Sequence, residues 1–155
     1  MHTAQNRETI ALRTEPLEIK GAGADADIPL TREGADRLAK LYADTLIGRT
    51  GRIYMALENI RGTRDAAILK IYLHSTEPEA WQAEHLGDSI SMFGLRRASS
   101  GDGLTSISDI TTILNNLSAA SATPLHQIHV HIQPEHALLE TEGIVIGSIR
   151  LFIEY

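Results

Sequence analysis

The sequence predicts a mainly β protein: an antiparallel β-sandwich, of jelly-roll or barrel-like form, with one or two short helices. Three observations carry that prediction. Several stretches alternate apolar and polar residues with period two, as a half-buried strand requires. Clusters of turn-forming residues separate them at roughly ten-residue spacing, which suits a sandwich. Only two stretches show helical periodicity, too few for a layer of helices on each face of a sheet.

In chain order, residues 9–12 and 16–20 are short and read as edge strands, and GAGADAD at 21–27 reads as a turn. Thr31 can cap a helix over 32–47, where Ala35, Leu38, Tyr42 and Leu46 line one side before Gly48 and Gly51 stop it. Gly34, near its start, weakens that helix. Residues 52–59 put Ile53, Met55 and Leu57 on one strand face, and 67–73 do the same with Leu69, Ile71 and Leu73. RGTRD at 61–65 and STEPEAW at 75–81 are connections. Leu86, Ile90 and Met92 alternate over 86–93, and RRASSGDG at 96–103 is a further turn. Ser108 or Asp109 can cap a helix over 110–120, whose Ile110, Ile113, Leu114 and Leu117 fall at i, i+3, i+4 and i+7. Residues 125–133 set Ile128, Val130 and Ile132 against Gln127, His129, His131 and Gln133. The β-branched and aromatic run 144–155 reads as the last strand.

The 155 residues fit a single domain over 1–155, with strands and a helix in 1–50 and the main strand-rich core in 51–155. A content of 43% hydrophobic and 22% charged residues is that of a globular chain. No apolar run approaches the ~20 residues of a membrane helix, so a soluble domain is expected. Fourteen basic against twenty acidic side chains leave a net charge of −6, and the longest basic cluster is the pair Arg96 and Arg97. Nucleic acid and anionic membrane need a positive field and are disfavoured as partners. Cysteine is absent, which excludes disulfides, thiolate metal sites and cysteine nucleophiles. The first 16 residues hold no apolar signal core, so the expected location is cytoplasmic as synthesised, with export only together with a partner.

Seven histidines are the compositional excess, and histidine is the candidate for metal chemistry. His129 and His131 leave the same face of their strand ~6.6 Å apart at the backbone, a spacing from which two imidazoles can converge on one zinc or copper ion. His126 and His136 flank them and complete a candidate metal set of His126, His129, His131 and His136. The plainer alternative is an exposed polar strand face on which threonine or lysine would serve as well. Glu135 gives HxHx3E, half of the cupin metal motif, but the remaining cupin elements are lacking. His74 and His85 bracket an acidic loop and are expected to be solvated. Trp81 in that loop, and Phe93 before Gly94, are candidate partner-binding anchors, with loop or core packing as the alternative. No catalytic residues are assigned: the serines lack a GxSxG elbow, and GAGAD at 21–25 lacks the strand–helix context of a phosphate loop.

Five segments resemble the C-terminal β-sandwich domain of tyrosinase-type polyphenol oxidases, the type-3 copper enzymes. They are LENIRGT at 57–63, IYL at 71–73 before an acidic loop, GDSISMFGL at 87–95, SDIT at 108–111 and IGSIRLF at 146–152, with weaker ETIAL and TEPLEI segments upstream. The resemblance implies that a separate helical domain holds the two copper ions and that the sandwich packs over the mouth of that site. It further implies a freestanding, non-catalytic accessory or lid subunit, whose partner is a tyrosinase-like catalytic subunit and whose copper is held directly or through that partner. Two other readings stand beside it: a copper- or zinc-binding protein built on the histidine set, and a self-associating sandwich that forms a homo-oligomer.

Overall fold

A computed structural model describes residues 7–46, 48, 51–63, 68–75, 85–91, 95–120, 125–139 and 143–154. The chain runs β1 (Arg7–Arg13), β2 (Leu17–Ile19), β3 (Ala24–Pro29), α1 (Arg32–Leu46), β4 (Arg52–Gly62), β5 (Ile68–Ser75), β6 (His85–Ser91), α2 (Leu95–Ala98), β7 (Leu104–Asp109), α3 (Thr111–Ala120), β8 (Gln127–Pro134) and β9 (Ile144–Glu154). One sheet has the order β1-β9-β4-β7, with β2 also paired to β9; the other has the order β3-β8-β5-β6. Every pairing is antiparallel. The two sheets pack together as the sandwich the sequence predicts. No helix among the described residues is long and apolar enough to cross a membrane.

Alternation decides what lies between the sheets. Ile53, Met55 and Leu57 of β4 and Ile149, Leu151 and Ile153 of β9 meet Leu69, Ile71 and Leu73 of β5 and Ile128, Val130 and Ile132 of β8 in one buried cluster. Two expectations change. The segment 21–27 is not all turn, because Ala24–Pro29 is β3, paired with β8. Its inward residues Ala24, Ala26 and Ile28 pack on the core, but two of the three are small and the hydrophobic signal is faint. Strand β7 follows the turn after α2 and has no counterpart among the predicted strands; it places Ser108 in a strand, buried.

Both long helices are anchored by capping chemistry. The Thr31 hydroxyl accepts the Gly34 N–H at 2.8 Å, while the Thr31 N–H donates to the Ile10 carbonyl at 2.9 Å, so the cap also ties α1 to β1. Gly34 is required there for proximity: a Cβ would lie 2.3 Å from the Ile10 carbonyl oxygen. At α3, Asp109 Oδ1 accepts the Thr111 N–H at 3.0 Å and its hydroxyl at 2.6 Å. The same hydroxyl oxygen accepts the Ile53 N–H at 2.8 Å, and Arg52 Nε donates to Asp109 at 2.9 Å. The SDIT segment therefore staples the helix to the first residues of β4.

The LENIRGT and IGSIRLF segments meet in a second structural node. On β4 the inward series Ile53, Met55, Leu57 changes phase and resumes at Ile60; on β9 the series changes phase between Ile146 and Ile149. Asn59 sits at the change with φ of 54°, a conformation asparagine tolerates better than most residues. Gly147 lies against it, where a Cβ would come within 2.8 Å of the Asn59 Cβ. Arg61 Nε donates to Asn59 Oδ1 at 2.8 Å, and the Ser99 hydroxyl accepts the Gly62 N–H at 2.8 Å. In these two segments Asn59, Arg61 and Gly147 thus serve the backbone geometry of the paired strands.

Candidate functional site

The outer face of the four-stranded sheet gathers three of the histidines that the sequence singled out, His74, His129 and His131. In β8, Ile128, Val130 and Ile132 are fully buried, which turns His129 and His131 outward. Strand pairing sets Asp27 opposite His129 and Asp25 opposite His131 on one side, with His74 and Tyr72 opposite the same two histidines on the other. Two rows result: Asp27, His129, His74 and Asp25, His131, Tyr72. The His74 and His129 ring centroids are 5.9 Å apart, as are those of Tyr72 and His131.

The carboxylates grip the imidazoles. His129 Nδ1 lies 2.6 Å from Asp27 Oδ1 and its Nε2 lies 2.9 Å from Asp25 Oδ1, while His131 Nδ1 lies 2.8 Å from that same Asp25 oxygen. Both nitrogens of His129 thus face acceptors, an arrangement satisfied in full only when the ring carries both protons. Partial burial of His129 disfavours its charge, but the hydrogen bonds from Asp27 and Asp25 and their negative charge outweigh burial and hold its pKa above the ordinary 6.5. Burial likewise works against ionised Asp25, yet its bonds to His129 and His131 and their charge hold its pKa below the ordinary 3.8.

Of the four histidines expected to share a metal, the structure brings His129 and His131 together, while His126 and His136 lie exposed beyond the two ends of β8. Among the described residues no group of three or more His, Asp or Glu side chains is arranged to hold a metal ion. Both nitrogens of His129 and Nδ1 of His131 are directed at carboxylates. His74 is not a solvated loop residue; it belongs to β5 and is 5% exposed. His85 opens β6. Trp81 and Phe93 lie outside the described residues.

Asp25 and Asp27 are what sequence reasoning missed. Their signal was the alternation Ala24, Asp25, Ala26, Asp27, Ile28, a period-two stretch that complements the outward His129 and His131 in charge.

A different chemistry occupies the outer face of the five-stranded sheet. Tyr54 and Phe152 stack with centroids 5.4 Å apart, and the Arg7 guanidinium lies 5.2 Å above the Phe152 ring. Arg7 pairs with Glu154 at 3.1 Å, Arg150 with Glu58 at 3.1 Å, and Arg52 with Asp109. The row Leu12, Arg150, Ala56, Ile107 crosses the sheet next to these rings. Leu12 and Ile107 remain 44% and 54% exposed.

Comparison with solved structures finds the fold elsewhere. Latent apple tyrosinase matches with a TM-score of 0.51 at 10% identity, over 90% of this chain and 27% of that one. A xylan-binding module, CBM15, matches with a TM-score of 0.49 at 13% identity, over 97% of both chains. Latent aurone synthase, a polyphenol oxidase, matches with a TM-score of 0.46 at 8% identity, over 93% of this chain and 25% of that one. The chain therefore spans about a quarter of the two oxidases it resembles. At these identities the likeness is one of fold. No curated protein matches the chain. Residues 6–154 match the family model described as Domain of unknown function (DUF7868), so nearly the whole sandwich is covered and the chain belongs to that family.

Proposed function

We propose that this sandwich is a non-catalytic accessory domain that associates with a tyrosinase-like, type-3 copper oxidase and shields its active site or helps it mature. The observation that carries the reading is the fold match to latent apple tyrosinase, where 90% of this chain overlays a portion equal to 27% of the longer oxidase. The five ordered sequence segments point the same way. In this reading the copper belongs to the partner.

The outer face of the five-stranded sheet is the surface we assign to that contact. Aromatic and arginine side chains dominate the energetics of protein interfaces, and this face offers Tyr54, Arg7, Arg52 and Arg150, with Phe152 packed beneath Arg7 and exposed Ile107 nearby. Its three ion pairs keep the arginines pre-ordered, which lowers the entropy lost on docking. Trp81 and Phe93 are further anchors in the proposal.

The test is co-expression with a neighbouring tyrosinase-like catalytic subunit, followed by size-exclusion chromatography and a phenol-oxidation assay. Co-elution and an altered oxidation rate are expected. Ile107→Asp and Trp81→Ala should each weaken co-elution at least about tenfold, the loss of one anchor. Separate elution at tens of micromolar together with an unchanged rate would overturn the proposal.

A further inference from the structure

We propose that the outer face of the four-stranded sheet carries a proton-operated clasp, in which Asp25 and Asp27 of β3 hold β8 through His129 and His131 while the His129 ring is doubly protonated, and loosen their hold when it becomes neutral. The reading rests on geometry independent of any oxidase partner. Among the described residues, strand β3 ends its sheet and pairs with β8. Three short contacts from two carboxylates to two imidazoles, at 2.6, 2.8 and 2.9 Å, join the two strands outside the backbone ladder. Asp25 Oδ1 is the common acceptor, reaching its direct neighbour His131 and, diagonally, His129.

A neutral imidazole has one N–H and one lone pair. Once His129 loses a proton, one of its two nitrogens faces a carboxylate oxygen as lone pair against lone pair, and attraction becomes repulsion. Among the described residues, the titratable groups around His129 are Asp25 and Asp27 on β3, His131 on its own strand, and His74 and Tyr72 on β5. The His129 side chain is 14% exposed, but those of Asp25 and Asp27 are 58% and 54% exposed, so water rehydrates the carboxylates and the loosening is modest. The direction of the linkage follows. A group whose pKa is raised on folding contributes stability that is complete below its unfolded value and fades as pH rises through the folded value. Asp25, with a lowered pKa, contributes stability above its unfolded value and loses it in acid. The clasp is therefore tightest between the carboxylate range and the raised value of His129, and it opens on the alkaline side.

Two measurements on the full chain, in metal-free buffer, test this. An NMR titration should find His129 titrating above 6.5, with the midpoint falling in Asp27→Asn, whose amide holds no charge. Hydrogen exchange, expressed as protection factors to remove the intrinsic pH effect, should show β3 amides losing about two- to fivefold protection from pH 6 to pH 8, the worth of a partly exposed ion pair, while β4 and β9 stay unchanged. In Asp27→Asn that pH dependence should shrink. A wild-type His129 midpoint at or below 6.5, or equal β3 protection at both pH values, would overturn the clasp. So would one-to-one zinc binding that is lost in Asp25→Asn, because a metal rather than a proton would then join the strands.

Discussion

Thr111 offers the sharpest test of how the sandwich is held together. Its hydroxyl oxygen accepts the N–H of Ile53 at 2.8 Å, and its proton goes to Asp109 Oδ1 at 2.6 Å. Strand β7 stops pairing with β4 at Asp109 opposite Tyr54, so this hydroxyl stands where the next ladder acceptor would have been. Thr111→Val keeps the shape and removes the oxygen. Ile53 is fully buried, so its N–H would be left without that acceptor, at a cost of about 1–3 kcal/mol. The added methyl regains at most about 0.8 kcal/mol of burial. Taking the middle of that cost, about 2 kcal/mol, the net loss is about 1–2 kcal/mol, which corresponds to about 2–8 °C in Tm for a chain of this size. With a urea slope of about 2 kcal/mol per molar, the midpoint should fall by about 0.5–1 M. Urea and thermal unfolding followed by circular dichroism read both, with Thr112→Val, at the exposed neighbour, as the control. If the two variants unfold within about 0.5 kcal/mol of each other, the assignment of Thr111 as a buried acceptor is wrong.

Two further outcomes follow from the same packing. Gly34→Ala, which in an open helix gains about 1 kcal/mol, should here destabilise the fold by more than that, because the new Cβ would stand 2.3 Å from the Ile10 carbonyl oxygen; a rise in Tm would refute the close approach. Burial works against ionised Asp109, but its bonds to Thr111 and Arg52 prevail and hold its pKa below 3.8, so its contribution exists above that value and is lost as pH falls through the lower one. The stability gap between wild type and Asp109→Asn should accordingly be widest above pH 4 and close in stronger acid, and a gap that widens on acidification would contradict this sign.

Strands rich in large aliphatic residues were legible in the sequence, because alternation is a local property and buried Ile, Leu and Val mark it strongly. Residues 52–59, 67–73, 125–133 and 144–155 all lie on strands of the structure within a few residues. The helix over 32–47 was legible too, and its one dissonant residue, Gly34, is explained only by the strand it touches. Where the inward residues are small or polar, the same signal fades. Strand β3 alternates through alanine and aspartate, so GAGADAD looked like a turn. His74 looked like a loop residue because β5 extends past its last large aliphatic, Leu73.

The sequence by itself determined the class of fold, the two main helices, the absence of thiol chemistry and the outward face of His129 and His131. Only the tertiary structure decided what that face does. Asp27 lies 102 residues from His129 in the chain, and the two meet because β3 pairs antiparallel with β8 in one register out of many. A periodicity is written in neighbouring residues and can be read from them, whereas a register is chosen by the burial of both sheets at once. That choice placed two carboxylates on two imidazoles.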